Sequence, residues 1–106
     1  MKLERLRHDA RLAHLFAEIW RRLEMVRMAR HDGFASPLTQ THLGAMCGIS
    51  VVHTSRALRE LRMKELGRFR RGRLYADNRA GLERHGGFTP DYLYGEGVLQ
   101  MGNSLR

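Results

Sequence analysis

Residues 40–59 read QTHLGAMCGISVVHTSRALR and contain the strongest local structural signal in the chain. Thr39 and Ser50 are residue types that accept backbone N–H groups at helix starts, so each is expected to begin a helix. Gly48 supplies the positive φ that ends the first of the two helices. Gly44, inside the first helix, has no side chain, which lets the second helix approach closely. This spacing predicts a helix-turn-helix.

The two predicted helices run to about Met46 and to about Met63. The positions expected to face each other across the turn are mostly apolar: Leu43, Cys47, Ile49, Ala57 and Leu58. Thr54 is the one weak position on this inward face, because a fully apolar Val or Ile would be expected there.

The segment that follows, residues 68–75, reads RFRRGRLY and changes character. It predicts two short strands joined by a glycine-containing turn. Guanidinium groups that suit bidentate phosphate contacts would project from this hairpin, namely those of Arg68, Arg70, Arg71 and Arg73. A helix-turn-helix followed directly by a basic hairpin is the winged form. We therefore expect a winged helix-turn-helix, mainly α with a small β-hairpin wing.

Further helices are expected on either side of this unit. Apolar residues recur with helical periodicity from about residue 4 to 30, and Asp32-Gly33 is a natural stop. The wide apolar face of this leading helix packs either on the domain itself or on a partner chain, and the sequence leaves both open. Asp77 is expected to cap a last short helix that reaches His85.

These boundaries divide the chain into three parts. Residues 1–35 form the leading amphipathic helix, which also offers a dimer contact, and residues 36–94 form the winged helix-turn-helix domain. Ser36-Pro37 marks the boundary, because the residue before a proline is pushed away from helical geometry. Residues 95–106 have no pattern that predicts structure, and we expect a disordered tail. The apolar packing anchors expected near the end of the domain are Phe88, Tyr92, Leu93 and Tyr94.

Positive charge is concentrated near the predicted motif. The 106 residues include 19 basic and 11 acidic side chains, a net charge of +8. Eight of the basic and only two of the acidic side chains fall within residues 50–75. This concentration is expected if one face of the domain follows a phosphate backbone. Charge alone, however, selects a polyanion without saying which one.

Composition argues against several other classes of protein. No stretch approaches the roughly 18 apolar residues of a membrane span, and no apolar run follows the first residues as in a signal peptide, so we expect a cytoplasmic protein without a membrane partner. The single Cys47 cannot form an internal disulfide and is expected to be buried and inert rather than a redox group. The histidines have no metal-ligand spacing, and the carboxylates have no catalytic arrangement. We expect no metal, no cofactor and no enzyme activity.

The chain resembles the DNA-binding domain of Crp/Fnr-type transcription regulators over roughly residues 9–94. Within the motif, the resemblance is carried by PLTQ at 37–40, LG at 43–44, GISVVH at 48–53 and SRALREL at 55–61. It continues through RGRL at 71–74 and FTPDYL at 88–93, and extends back to ARLAHL at 10–15. The segment from Ser50 to Arg56 is its most specific part.

The resemblance implies that Ser50 to Arg59 form the recognition helix, with Arg56 the best candidate for reading a guanine edge in the major groove. The other base-reading positions that it implies lie on or near the same face: Ser50, Val51, Val52, His53 and Ser55. Backbone contacts are implied for Arg59, Thr39 and Gln40, beside the four wing arginines. His53 either touches DNA or is simply solvated, and the sequence leaves both open.

The chain also departs from the family pattern. Many relatives carry glutamate where Val52 stands, so we expect a different preferred DNA sequence, in which valine contacts a thymine methyl. The family usually has Gly and Ile where this chain has Glu65 and Gly67, so an easy helix stop and an apolar strand residue are lost and a short first strand is expected. Full-length relatives carry an N-terminal β-roll sensor and a long dimerisation helix, and neither fits before residue 9.

The resulting hypothesis is sequence-specific binding of double-stranded DNA by a bacterial-type transcription regulator that lacks the cyclic-nucleotide-binding-like sensor domain. We expect a homodimer on a two-fold DNA site, with RNA polymerase as a further partner. Two alternatives stay open. One is a sequence-tolerant, nucleoid-associated DNA-binding protein, and the other is a protein-interaction module that uses the leading helix.

Overall fold

The computed structural model describes residues 7–88. These residues form four helices and four short strands in the order α1 (His8–Met25), β1 (Ala29–Arg30), β2 (Gly33–Ala35), α2 (Gln40–Met46), α3 (Val51–Met63), β3 (Arg68–Arg70), β4 (Arg73–Tyr75) and α4 (Arg79–His85). The mainly helical fold with a β-hairpin wing is confirmed.

The helix-turn-helix forms where the sequence predicts it. The Thr39 side chain accepts the backbone N–H of His42 at the start of α2, and the Ser50 side chain accepts that of His53 at the start of α3. Gly48 has a φ of 72°, and its N–H donates to the carbonyl of Ala45, which ends α2. Both caps and the glycine stop are thus supplied by short-range sequence signals.

The contact between α2 and α3 is closest at Gly44. A Cβ added to Gly44 would overlap Thr54 Oγ1, so only glycine permits this approach. Thr54 is 1% exposed, and its hydroxyl donates to the carbonyl of Ser50 at 2.7 Å. The position that looked weak in sequence is therefore a buried polar residue whose hydrogen bond is made within its own helix.

The wing belongs to a four-stranded antiparallel sheet with strand order β1-β2-β4-β3. In the predicted hairpin, Arg68 pairs with Tyr75 and Arg70 with Arg73. β3 begins directly after Gly67 and has only three residues, as expected for a short first strand. The first hairpin, β1–β2, was not predicted, and β2 joins it to the wing by pairing with β4.

The leading helix is shorter than its periodicity predicts. α1 ends at Met25 rather than near residue 30, and the next residue but one, Arg27, has a φ of 61°. The side chain of Trp20 donates from Nε1 to the carbonyl of Arg30 at 3.2 Å, which holds the returning chain against the helix. Strand pairing and this contact override a helical pattern that local propensity alone would continue.

The last helix also begins differently from the prediction. Asn78, not Asp77, is the N-cap of α4, and its Oδ1 accepts the N–H of Gly81 at 3.0 Å. Asp and Asn are about equally good N-cap residues. Because the two are adjacent here, the N-cap position could not be predicted from the sequence. Phe88 is buried after this helix as expected, whereas Tyr92, Leu93 and Tyr94 lie outside the described residues.

One core joins the helices and the sheet. α1 contributes a continuous buried segment, in which every residue from Leu12 to Trp20 is buried. The other large side chains of the core come from the sheet and the remaining helices: Phe34, Leu43, Leu61, Leu74 and Leu82. The apolar face of α1 is therefore covered within this chain. Its exposed apolar residues lie only beyond this segment, at Met25 and in the turn after it.

A buried carboxylate links three helices. Asp9 is 3% exposed, and its Oδ2 lies 2.7 Å from Lys64 Nζ, after α3, and 2.8 Å from His85 Nε2 in α4. Burial alone would raise the pKa of Asp9, but these two hydrogen bonds outweigh it and hold the pKa below its usual value. The end of α3 is thereby tied to the start of α1 and the end of α4.

α3 ends with a common helix-terminating motif in which glutamate replaces the usual glycine. Glu65 has a φ of 57°, its N–H donates to the carbonyl of Arg62, and the N–H of Leu66 donates to that of Leu61. These two bonds make a Schellman motif, in which glycine is the usual residue at the position of Glu65. The helix stops without glycine, because these bonds and the packing of Leu66 fix the turn.

We predict that Glu65→Gly raises the free energy of unfolding by about 0.5–1 kcal/mol, because it relieves a left-handed conformation that costs a side chain more than glycine's extra chain entropy. Denaturant unfolding measures the change. Gly48→Ala is the matched control, since a Cβ there meets no atom within 4 Å, and it should lower the same quantity through conformation alone. A destabilising Glu65→Gly would contradict the account.

His14 is a buried imidazole in α1. It is 1% exposed, and its Nδ1 lies 2.9 Å from the carbonyl of Gly86, to which it donates. Burial lowers the pKa of His14 below its usual value, so the folded state keeps the ring neutral at pH values where the unfolded chain binds a proton.

We predict that stability falls as the pH drops through about 6.5, the value at which an unfolded histidine is half protonated. The loss continues until the lowered pKa of folded His14 is reached. His14→Gln should flatten the dependence between pH 7 and 5 in thermal unfolding, and His31→Gln, at an exposed histidine, is the control substitution. Equal pH profiles for the wild type and His14→Gln would contradict the assignment.

Candidate nucleic-acid interface

The first turns of α3 present an exposed row of side chains. Val51 and Val52 are 62% and 59% exposed, although both are apolar. The other residues that the sequence places on this face are exposed as well: Ser50, His53, Ser55 and Arg56. Arg59 is exposed one turn further along. The inward face of the same helix is occupied by Thr54, Ala57 and Leu61, so the orientation of the exposed row is fixed by the core.

His53 makes specific contacts within the chain. Its Nδ1 lies 2.9 Å from Ser50 Oγ, the same oxygen that caps the helix. Its ring packs against the ring of His8 at the start of α1, with the centroids 4.8 Å apart. His53 is therefore an exposed residue that also joins α3 to α1. This contact was not predicted, because it depends on how the two helices pack.

A groove runs between α3 and β3. It has a volume of about 330 Å³ and a floor formed by the partly buried Leu58 and Phe69. Five arginines line it from both sides, namely Arg56, Arg59 and Arg62 from the helix and Arg68 and Arg70 from the strand. Gln40 and Ser55 complete the lining, which contains no carboxylate. Such a surface is complementary to a polyanion.

The wing is anchored so that its arginines point outward. Phe69 stacks on Phe16 of α1, with ring centroids 5.7 Å apart. The guanidinium groups of Arg68 and Arg73 lie 6.0 and 5.9 Å from the ring centroid of Tyr75, which fits cation–π contacts. At the tip, Arg71 and the following glycine have φ values of 51° and 76°, as a type I′ turn requires.

Charge pairing separates this surface from the rest of the domain. Within residues 7–88, none of the seven arginines of α3 and the wing has a carboxylate oxygen within 4.0 Å. On the face shared by α1 and α4, by contrast, Arg79 donates to Glu24 at 2.8 and 3.1 Å. That hydrogen bond lowers the pKa of Glu24. Most of the arginine charge without a carboxylate partner in the described domain thus lies on this surface.

The structure brings together only part of the set predicted to contact DNA. Gln40, Ser55, Arg56, Arg59, Arg68 and Arg70 share the groove. Thr39, the first turn of α3, Arg71 and Arg73 are not among its lining residues. Of the predicted set, only Gln40 and Arg73 are half-buried. Arg62 was missed by the sequence reasoning, although its position three residues after Arg59 places it on the same side of a helix.

The remaining expectations concern residues away from the groove. Cys47 is buried, and burial raises the pKa of its thiol to about 12, which keeps it protonated. Residues 7–88 contain no group of three metal-ligating side chains. No helix in the described part of the chain is both long enough and apolar enough to cross a membrane.

A capped helix pair, an exposed second helix and an arginine-rich hairpin beside it define a winged helix-turn-helix domain. The chain belongs to the Crp-like helix-turn-helix domain family, whose model matches residues 10–85. This match confirms the resemblance to Crp/Fnr-type regulators that the sequence motifs carry. No curated protein sequence matches the chain.

Solved structures of CprK are similar in fold. Ligand-free reduced CprK has a TM-score of 0.60 and 18% identity, with 73% of this chain and 36% of that chain covered. OCPA-complexed CprK has a TM-score of 0.60 and 20% identity, with 78% and 39% covered. Unbound oxidised CprK has a TM-score of 0.58 and 20% identity, with 73% and 37% covered. This chain thus spans less than two-fifths of the length of those chains.

Proposed function

We propose that this chain binds double-stranded DNA in a sequence-specific manner and acts in transcription regulation. The observation that carries the proposal is the combination of an exposed first half of α3 with an arginine groove that lacks a carboxylate. The exposed helix provides groups that distinguish bases, and the groove provides charge that attracts the backbone. No catalytic group is needed for this activity, and we propose no enzyme function.

Base reading is assigned to the first half of α3. Arg56 donates to both acceptors of a guanine in the major groove, a contact worth about 1–3 kcal/mol of discrimination. Val51 and Val52 contact thymine methyl groups, and Ser50 and Ser55 exchange hydrogen bonds with base edges. His53 extends this set, while its contacts to Ser50 and His8 limit the directions in which its ring can turn.

Backbone contacts are assigned to the groups around this helix. The arginines of the wing and Arg59 pair with phosphates, and Gln40 donates from the start of α2. Thr39 Oγ1 accepts the N–H of His42 at 3.2 Å, so its hydroxyl proton is the part left to donate to a phosphate oxygen. These contacts fix the register of α3 on the duplex without carrying sequence information.

The working unit is proposed to be a homodimer on a two-fold site in the cytoplasm, with RNA polymerase as a further partner. Two half-sites about one helical turn apart suit two copies of this domain. A single module makes a small interface, and joining two of them supplies effective concentration rather than new contacts. The buried face of α1 argues against an interaction module that uses this helix, because the required surface lies in the core.

We predict that selection from a randomised duplex pool at fixed salt enriches a two-fold motif. Arg56→Ala should then weaken binding to that motif by about 1–3 kcal/mol and relax the preference at one base pair of each half-site. Arg84→Ala, which removes an equal charge from an exposed position on α4, is the matched control and should keep the preference. Quantitative binding to the selected and scrambled duplexes gives both numbers.

Two outcomes would overturn the proposal. Equal binding to all duplexes with a steep salt dependence would indicate a sequence-tolerant, nucleoid-associated protein. Failure of the wild type and of both variants to bind any duplex would favour a protein-interaction module instead.

A further inference from the structure

Arg62 is a residue to which the family resemblance assigns no role. It lies on the last turn of α3 and is exposed. Together with Arg68 it lines the groove between α3 and β3 and also an adjoining hollow of about 170 Å³. The hollow, unlike the groove, contains the carboxylates of Glu65 and Asp77. Arg62 and Arg68 therefore stand where the purely cationic part of the surface ends.

These two arginines approach the groove from opposite sides. Arg62 comes from the helix, and Arg68 comes from β3, where the ring of Tyr75 lies beneath its guanidinium group at 6.0 Å. Neither has a carboxylate partner within 4.0 Å among residues 7–88. Two like charges that line one groove repel each other, and an anion bound between them would remove that repulsion.

A simpler role for Arg62 is that of a solvated charge at a helix C-terminus. Such a charge interacts favourably with the helix dipole and modestly stabilises the protein. This role explains a basic residue in the last turn, but it requires no second arginine across the groove. It also predicts an effect on stability and none on DNA binding, so the two roles can be separated by experiment.

We propose that the groove seats one phosphate of the DNA backbone, shared between Arg62 of the recognition helix and Arg68 of the wing. The proposal rests on the proposed function, because it specifies how the DNA strand passes between α3 and β3. A shared phosphate receives donors from both sides, as bidentate guanidinium contacts allow. α3 and the wing then contact the same DNA strand at the same nucleotide.

A shared phosphate has a consequence that two separate contacts lack. Removing either arginine loosens the phosphate from both, so the second removal costs little more. Contacts to different phosphates would instead be independent, and their effects would multiply. The slope of log affinity against log salt concentration also separates the two cases. One neutralised phosphate contributes about one unit to this slope, whether one arginine or two contact it.

The test is a double-variant cycle with Arg62→Gln, Arg68→Gln and both together, measured on the full chain and one duplex at several salt concentrations. We expect each single variant to weaken binding about tenfold and to reduce the salt slope by about one. The double variant should be no more than about twofold weaker than the weaker single variant, with the same slope. Arg84→Gln is the charge-matched control, and thermal unfolding verifies that every variant is folded.

A second measurement identifies the phosphate itself. Neutral methylphosphonates, placed one at a time along the duplex, should reveal one position whose replacement weakens the wild type but not Arg62→Gln or Arg68→Gln. Effects of the two arginines that multiply to about a hundredfold, or two different sensitive phosphates, would overturn the shared site. An unaltered affinity in Arg62→Gln would leave it as a helix-end charge. The variant cycle can also be measured on a duplex without the selected motif, so loss of sequence preference would contradict the proposed function without affecting the cycle.

Discussion

The close approach of α2 to α3 at Gly44 is the constraint on which the rest of the molecule depends. A side chain at Gly44 would overlap Thr54, so any other residue there would push the two helices apart. The hydroxyl of Thr54 is satisfied by the carbonyl of Ser50 within α3, and the contact therefore leaves no buried donor without a partner. The crossing of the two helices decides which side of α3 is buried, and hence which side faces outward.

The stabilising charges and the binding charges occupy different parts of the domain. Asp9 holds Lys64 and His85, and Glu24 holds Arg79, so carboxylates join α1 to the ends of α3 and α4. The arginines of α3 and the wing have no such partners in residues 7–88. The ion pairs of α1 hold the helices together. The arginines of α3 and the wing, which lack such pairs, leave positive charge available for a polyanion. These arginines therefore place much of the basic charge behind the chain's net +8 on one face of the domain.

Sequence reasoning succeeded where local chemistry decides the structure. Thr39, Ser50 and Gly48 cap or end helices through bonds to nearby residues, so their roles are visible in short spacing. The β1–β2 hairpin was missed because strands of two and three residues have no measurable periodicity and exist only through pairing with β4. The groove was only partly predictable, since its arginines come from two elements whose distance depends on the stacking of Phe69 on Phe16.

A backbone amide NMR titration of the labelled chain with a selected duplex at low salt would map the DNA-binding face residue by residue. The account predicts that the largest shift changes fall on residues 50–62 and 68–73 and at the start of α2. The amides of α4 and of the exposed turn at residues 25–28 should change little. Largest changes in that turn or in α4, with α3 and the wing unaffected, would contradict the assignment of the DNA-binding face.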